Sequence, residues 1–535
     1  MPAAIAAIVG VVLYLWVCVL ALQYVVAPFM AYAVVGGAVV GVLFTAVTML
    51  ATLLSVAGFV PATVTNAEVG SRLPTRKSSA FDRDDAWPQY LFAQSRTDIA
   101  TAFEHTFGKL TAMWAAVVKF SREAVGIFVF WPLLLLPAVA LVVMSVAVVA
   151  ASAALGMVLV AALAMLAVGW LAVAGLLRAL DLGLRRIRRA KATCPHPGCN
   201  ERTLLPTFRC SACPRLHRDL RPGRQGALFR RCGCGQQLPT TVIRAARALV
   251  AVCPRCELPL HSGSAVITDV VIPVFGPPSA GKTRFVYAGM VGLTSHIAAL
   301  NGTLRPVGSD NENTLADANK IINCGEDTAK TAVGAPAAIT VRVGSGRRKG
   351  LVHVFDAAGE MFLNRPDAAE LSYLADTQGL VFVLDPFSIP AVRDELRADR
   401  ATLDRAHAAT ANPEQSYLVT VQWLRDRQVR TDRQPLAVVV VKADVLTGVS
   451  SATALVTGGS DEQDVERWLQ EHQMDNFVEA ARRDFADVRY FLVSSWDDGS
   501  APGGRAGRHS PALPLLWLLE KGGLAITDEK VKVSP

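Results

Sequence analysis

Between Met1 and Ser71 there is no lysine or arginine, and between Ala124 and Leu177 there is no charged residue of either sign. No other feature restricts the fold of this chain as much. A helix rises 1.5 Å per residue, so about 20 apolar residues cross a hydrocarbon layer of roughly 30 Å. The two blocks hold four stretches of that length, at about residues 4–26, 29–60, 124–150 and 155–177. Pro28 parts the first two, and the small residues Ala151, Ser152, Ala153 and Ala154 part the last two. The pattern predicts four transmembrane helices in a lipid bilayer. The start Met1-Pro2-Ala3-Ala4 lacks the basic residues that precede the apolar run of a cleaved signal peptide, so the first stretch is expected to remain as a span.

Charge sets the expected orientation. Arg72, Arg76, Lys77, Arg83, Arg96, Lys109, Lys119 and Arg122 fall between the second and third stretches, and Arg185, Arg186, Arg188, Arg189 and Lys191 follow the fourth. The two tight connections carry none. By the positive-inside rule, segment 61–123 and both termini face the cytoplasm of a multi-pass inner membrane protein. The net charge of +8 then has a membrane explanation before nucleic acid is invoked. The spans hold no acidic, basic or histidine residue to mark a substrate path, which speaks against transport. Within 87–123, Ile99, Phe103, Leu110, Met113 and Val117 recur at helical spacing with Arg96, Lys109 and Lys119 between them. This predicts an amphipathic helix, lying on the inner leaflet, on the bundle or on the protein itself.

The chain has 535 residues, 52% of them hydrophobic and 18% charged, with a mean hydropathy of +0.35, an average over unlike parts. The expected layout is multidomain: an α-helical membrane region at 1–190, a small zinc-ribbon region at 191–262, and an α/β P-loop NTPase domain with a mainly parallel sheet at 263–535. Strands at 270–275, 338–343, 351–355, 380–384, 436–441 and 490–493 alternate with helix-compatible stretches, the signature of that last class. A helix at 514–520 closes it, after a loose segment at 497–510.

Eight of the ten cysteines form four close pairs: Cys194 with Cys199, Cys210 with Cys213, Cys232 with Cys234, and Cys253 with Cys256. Each pair puts two thiols on one turn, as tetrahedral Zn²⁺ requires, and the four pairs suffice for two ions. Short-range pairs on the cytoplasmic side make poor disulfides. The simplest partition gives the first two pairs one ion and the last two the other; an interleaved one uses the same thiols. His196, His217 and His261 are near enough to substitute but read as surface residues, while Cys18 and Cys324 read as packing residues. Arg215, Arg218, Arg221, Arg224, Arg230 and Arg231 surround the ribbons. Without interleaved aromatics they favour a spacer or partner-docking role over nucleic acid.

Gly276-Pro277-Pro278-Ser279-Ala280-Gly281-Lys282-Thr283 fits the eight-residue Walker A pattern, after an apolar strand and before a helical stretch at 284–299. Backbone N–H groups of such a loop turn inward on phosphates, with Lys282 on the β and γ phosphates and Thr283 on Mg²⁺. The helix N-terminus adds its partial positive charge. One departure is Pro273, which costs the preceding strand a ladder hydrogen bond. Downstream, strand 351–355 runs into Asp356-Ala357-Ala358-Gly359-Glu360, which resembles the D-x-x-G switch of GTPases: Asp356 holds Mg²⁺ through water and the Gly359 N–H binds the γ-phosphate. Glu360 stands where many GTPases orient water with glutamine; a carboxylate there repels the γ-phosphate, so hydrolysis is expected to be slow or partner-dependent. Thr328 and Thr331 are candidates for the second Mg²⁺ ligand, with Thr331 preferred. Lys442-Ala443-Asp444 resembles the N-K-x-D guanine motif with Val441 in place of asparagine. Asp444 would accept both N–H donors of the guanine edge while Lys442 covers the ring. Ser494 and Ser495 occupy the place of the base-contacting loop.

With these motifs, and with Val381-Phe382-Val383-Leu384-Asp385-Pro386-Phe387, the chain resembles the bacterial double-GTPase family, type 2, of multi-gene systems proposed to act in biological conflict. The resemblance covers 262 to the C-terminus. It implies a membrane-anchored switch that binds GTP and hydrolyses it to GDP and phosphate, working with a protein partner that is itself a GTPase. The rival reading is an ATP-binding membrane sensor whose ribbons bind nucleic acid or a protein.

Overall fold

The computed structural model describes residues 2–56, 86–87, 89–123, 127–196, 199, 201–326, 328, 338–345, 348–356, 377–397, 399–426, 428–457, 462–495, 500–501 and 505–526. They fall into two compact units, one of residues 1–177 with 222–237 and one of 178–221 with 238–535.

In the first unit, α1 (Pro2–Leu20) runs through a π-helical turn at Ala21–Val26 into α2 (Ala27–Val56). Then come α3 (Tyr90–Glu123) and the single 61-residue helix α4 (Ile127–Ile187). Among the described residues, two continuous helices, Ala3–Ser55 and Trp131–Ile187, are long and apolar enough to cross a membrane. This corrects the expectation of four separate spans. The chain does not break at Pro28, because the π turn just before it widens the helix where the proline ring would clash and its N–H is missing. Nor does it break at Ala151–Ala154, since alanine is the strongest helix former and supplies no turn chemistry.

Helix α3 packs on the bundle, which selects one of the three placements its amphipathic pattern left open. Leu110 joins Met144 and Val148 of α4 in a small core, the Thr48 and Thr106 hydroxyls are 3.3 Å apart, and Trp114 Nε1 donates to Ser145 Oγ at 2.9 Å. Helices α2 and α4 touch through backbone. A methyl group on Gly41 would lie 2.6 Å from the Met144 carbonyl oxygen, so only glycine fits.

The second unit is built on a seven-stranded sheet of β1 (Thr268–Phe275), β2 (Thr303–Pro306), β3 (Ala338–Ser345), β4 (Arg348–Asp356), β5 (Leu380–Leu384), β6 (Pro435–Val440) and β7 (Asp487–Leu492). Its order is β2-β3-β4-β1-β5-β6-β7. Strands β4, β1, β5, β6 and β7 are mutually parallel, while β3 runs antiparallel to both β4 and β2. The parallel strands are continuous apolar runs because both faces are covered. Val271, Phe275, Phe382 and Leu384 point to one core, and Val270, Ile272, Val274, Val381 and Val383 to the other. Helices α5 (Lys282–Ala299), α6 (Ser309–Cys324), α7 (Arg400–Ala406), α8 (Pro413–Asp426) and α9 (Ala512–Lys521) pack around it. Pro273 is tolerated in the central strand because the ladder to β5 starts only at Val274, and the Gln378 side chain accepts from the Val271 N–H at 2.8 Å in place of a strand.

Candidate functional site

The turn between β1 and α5 is shaped by three residues with positive φ: Gly276 at 150°, Ser279 at 62° and Gly281 at 88°. A Cβ on Gly276 would collide with the Val383 carbonyl oxygen of the neighbouring strand, so this position admits only glycine. Gly281 is the N-cap of α5, which starts at Lys282 and aims its positive end into the turn. Lys282 is buried, and its ammonium folds back over the loop, Nζ donating to the carbonyls of Pro277 at 2.8 Å and Gly276 at 3.2 Å. The Ala280 N–H also bonds Pro277 O at 3.3 Å, which leaves the loop closed on itself. Pro278 lies between these groups.

Strand β4 runs parallel beside β1, with Asp356 level with Val274, and so carries Asp356 to the same end of the sheet. There the Thr283 hydroxyl donates to Asp356 Oδ2 at 2.7 Å. Two residues 73 apart in sequence, each chosen as a hard oxygen donor, meet at one point. Gly359, Glu360 and Thr331 lie outside the described residues, whereas Thr328 is described and half-buried.

The ends of β6 and β7 complete the same edge. Lys442 takes a left-handed conformation, φ 62°, immediately before a short helix at Ala443–Leu446. The Ala443 N–H reaches the Val493 carbonyl at 3.1 Å, which ties the two loops. Ser494 Oγ donates to Asp444 Oδ1 at 3.3 Å, so these two expected residues are brought together. Ser495 goes elsewhere: its Oγ accepts from Arg284 Nε at 2.9 Å, linking the β7 loop to the first turn of α5. Arg284 follows Thr283 directly but escapes sequence reasoning, because no motif reserves that position. Asp385 escapes it as well, although it ends the buried strand β5 and is wholly inaccessible.

Residues 270–501 match the family model described as Double-GTPase 2. The chain resembles Double-GTPase 2. No curated protein matches it. The Double-GTPase 2 segment takes in six whole strands and nearly all of β1, the loop at Gly276–Thr283, Asp356, Lys442, Asp444 and both serines. It leaves the cysteine pairs and the long helices outside.

Those pairs assemble differently from the simplest partition. The sulfurs of Cys194, Cys199, Cys253 and Cys256, the first and fourth pairs, lie within 4.8 Å of one another. Cys194 to Cys256 is 3.6 Å and Cys199 to Cys253 is 3.7 Å. Four sulfurs placed tetrahedrally at about 2.3 Å from Zn²⁺ stand roughly 3.8 Å apart, close to these two separations, so the quartet fits the ion. The consecutive partition is thereby overturned, because β-pairing folds the last pair back on the first: strand Thr207–Arg209 lies between Leu216–His217 and Val250–Val252. Cys210, Cys213, Cys232 and Cys234 remain as a second set of four. Burial pushes the Cys194 thiol up.

The histidines are engaged elsewhere. His196 Nε2 is 3.2 Å from the Pro259 carbonyl, His217 is buried, and His261 stacks on His353 at 6.3 Å. Burial, with His353 and Arg342 beside it, lowers the His261 pKa to about 4. Among the arginines of the ribbons, Arg218 pairs with Glu257 at 2.8 Å, Arg221 pairs with Asp219, and Arg230 is 2% exposed and bonds Gln225 Oε1 at 3.1 Å. Cys18 is buried as expected, whereas Cys324 is exposed at the end of α6, since that helix turns its polar face outward there.

Proposed function

We propose that this chain is a membrane-anchored guanine-nucleotide switch that hydrolyses GTP slowly and with a partner's help. The observation that carries the reading is the meeting of Thr283 with Asp356 at the mouth of the loop that Lys282 closes. In it, the loop amides and the end of α5 take the phosphates, and the Lys282 ammonium exchanges the Pro277 and Gly276 carbonyls for the β and γ oxygens. Thr283 and Asp356 would hold Mg²⁺, with Thr331 as the further ligand, and the ion would supply positive charge against the phosphates. Asp444, oriented by Ser494, accepts the two N–H donors of guanine, and Lys442 covers the ring. Ser495 and Arg284 join the base side to the phosphate side. The Gly359 N–H reports the γ-phosphate, and Glu360 accepts a hydrogen bond from water while repelling that phosphate, which keeps turnover low. Support for guanine comes from the Double-GTPase 2 match; the partner in this reading is another GTPase of a bacterial conflict system.

The two long apolar helices anchor this switch in the inner membrane, with the basic collar Arg185 to Lys191 and both termini on the cytoplasmic side. Each cysteine quartet holds one Zn²⁺. With Arg218, Arg221 and Arg230 engaged by Glu257, Asp219 and Gln225, the ribbons serve protein docking rather than nucleic acid.

The test is competition among GTP, ATP and XTP for the full chain in detergent micelles, wild type against Asp444→Asn. GTP preference that moves toward XTP in the variant is expected, and ATP binding as tight as GTP would sink the guanine reading. Lys282→Ala should lose nucleotide with zinc content unchanged; unaltered affinity would mean that the loop is not the site.

A further inference from the structure

The guanine loop departs from its motif at Val441, and the geometry around it indicates how the loop is held instead. An asparagine at that position would offer a polar side chain to the phosphate loop. The Val441 side chain can only touch: its Cγ2 lies 3.9 Å from where a Cβ of Gly281 would be. Its main chain is used, the N–H bonding the Leu384 carbonyl at 3.1 Å. The polar fastening is displaced by one residue and one strand. Asp385, next to Leu384 at the end of β5, is 0% exposed and accepts three hydrogen bonds: from the Phe387 N–H at 3.1 Å, the Ala409 N–H at 2.7 Å and the Lys442 ammonium at 2.7 Å. Lys442 Nζ also donates to the His407 carbonyl at 3.2 Å. Its side chain is 19% exposed.

We infer that Asp385 is a positioning residue for guanine, fixing the head of Lys442 so that its methylene stem forms a flat, rigid cover for the base. This deepens the proposed function and rests on it. The chemistry favours it in three ways. A lysine stem is apolar and covers a ring only while its charged end is satisfied elsewhere. A free lysine has several rotatable bonds to freeze on binding, and an ammonium already held between a carboxylate and a carbonyl has few left to lose. A buried carboxylate with a single cationic partner also cannot release it cheaply, so the arrangement persists with or without nucleotide. The left-handed backbone of Lys442 then places Asp444, two residues on, toward Ser494.

The test is a double-mutant cycle on guanine-nucleotide affinity in the full chain, with Asp385→Asn, Lys442→Met and both together. Zinc content and unfolding temperature are measured alongside. Each single variant is expected to bind GDP at least tenfold more weakly, and the double variant no more weakly than the worse single one, because both remove the same cover. ATP affinity relative to GDP should rise in all three. Losses that multiply in the double variant would show Asp385 acting independently of Lys442, as a merely structural residue does, and overturn the inference. So would wild-type affinity in Asp385→Asn. Should Asp385→Asn fail to fold, Asp385→Glu replaces it, since it keeps the charge and shifts it by one methylene; the cycle is read in the same way. A wild-type chain that binds no guanine nucleotide overturns the proposed function itself and this inference with it, an outcome visible before any variant is made.

Discussion

Thr193 donates its hydroxyl to Asp269 at 2.8 Å, joining the residue before Cys194 to the strand that ends in the phosphate loop, 76 positions further on. Asp269 is fully buried and is surrounded by partners from both sides. His353 Nε2 of β4 stands 3.1 Å from its Oδ1, and Arg202 donates to its carbonyl at 2.9 Å. The Thr340 hydroxyl meets His353 Nδ1 at 2.9 Å. Burial alone would raise the Asp269 carboxyl, but His353, Arg202 and Thr193 hold it below the usual range. The cysteine quartet is thus wired to the two strands that deliver Gly276 and Asp356.

Breaking this pair is expected to be costly. Asp269→Ala leaves His353 and Thr193 buried without their partner and should destabilise the fold by about 3–5 kcal/mol, against about 1 kcal/mol for Thr193→Val. Urea unfolding of the full chain in detergent measures both. Equal, small effects would show that the carboxylate is not the centre of the network.

The pH dependence follows from His261. Its pKa falls from 6.5 to about 4 on folding, so as pH drops the unfolded chain takes up the proton first. The contribution is complete above pH 6.5 and is lost progressively from there down to about pH 4. His261→Asn should flatten the stability profile in that window relative to wild type. Parallel profiles for the two chains would exclude His261 as the sensitive group.

Zinc counting distinguishes the nested arrangement from the consecutive one. Cys194→Ala with Cys256→Ala should remove one ion per chain, because both belong to one quartet. Cys194→Ala with Cys210→Ala should remove both. The consecutive partition predicts the reverse, so metal analysis of the two double variants decides.

In the bundle, Gly41→Leu should separate α2 from α4, since its side chain would overlap the Met144 carbonyl and the Ala147 methyl group. A lower unfolding temperature and faster proteolysis in micelles are expected, while Gly10→Leu, with nothing near it, should behave as wild type.

At the sheet, Phe382 sits between Phe275, Tyr417 and Phe477, with ring centroids 5.2 to 5.5 Å away. Phe382→Ala should cost about 3–5 kcal/mol in chemical unfolding.

What was legible in the sequence was whatever periodicity or a short motif encodes. The apolar runs at 270–275 and 380–384 were read as strands because both faces of a parallel sheet are covered, and the strands extend by a residue or two at most of these sites. Thr283 and Asp356 were readable because each follows a fixed strand-to-loop pattern, and the structure brings them to 2.7 Å. The nested cysteine quartet was not, since the four spacings are compatible with either partition and only β-pairing between Thr207–Arg209 and Val250–Val252 chooses. The helix count failed for a related reason: proline and small residues mark turns in water, but a π turn or plain alanine continuity overrides them. Asp385 lies within the run Val381–Phe387, but no local pattern gives it a role, because its partner Lys442 lies 57 residues away.

The quartet of Cys194, Cys199, Cys253 and Cys256 also sets a reach. Followed along the backbone, Ile187 at the end of α4 and Thr268 at the start of β1 are separated by about 80 residues, enough to stretch roughly 280 Å. Clipped together by one ion, the path shortens to about 20 residues, at most roughly 65 Å. An ion held there would therefore act as a buckle, capping how far the end of α4 and the start of β1 can part, and stripping it would leave that limit to the Thr193–Asp269 bond and the β-pairing alone.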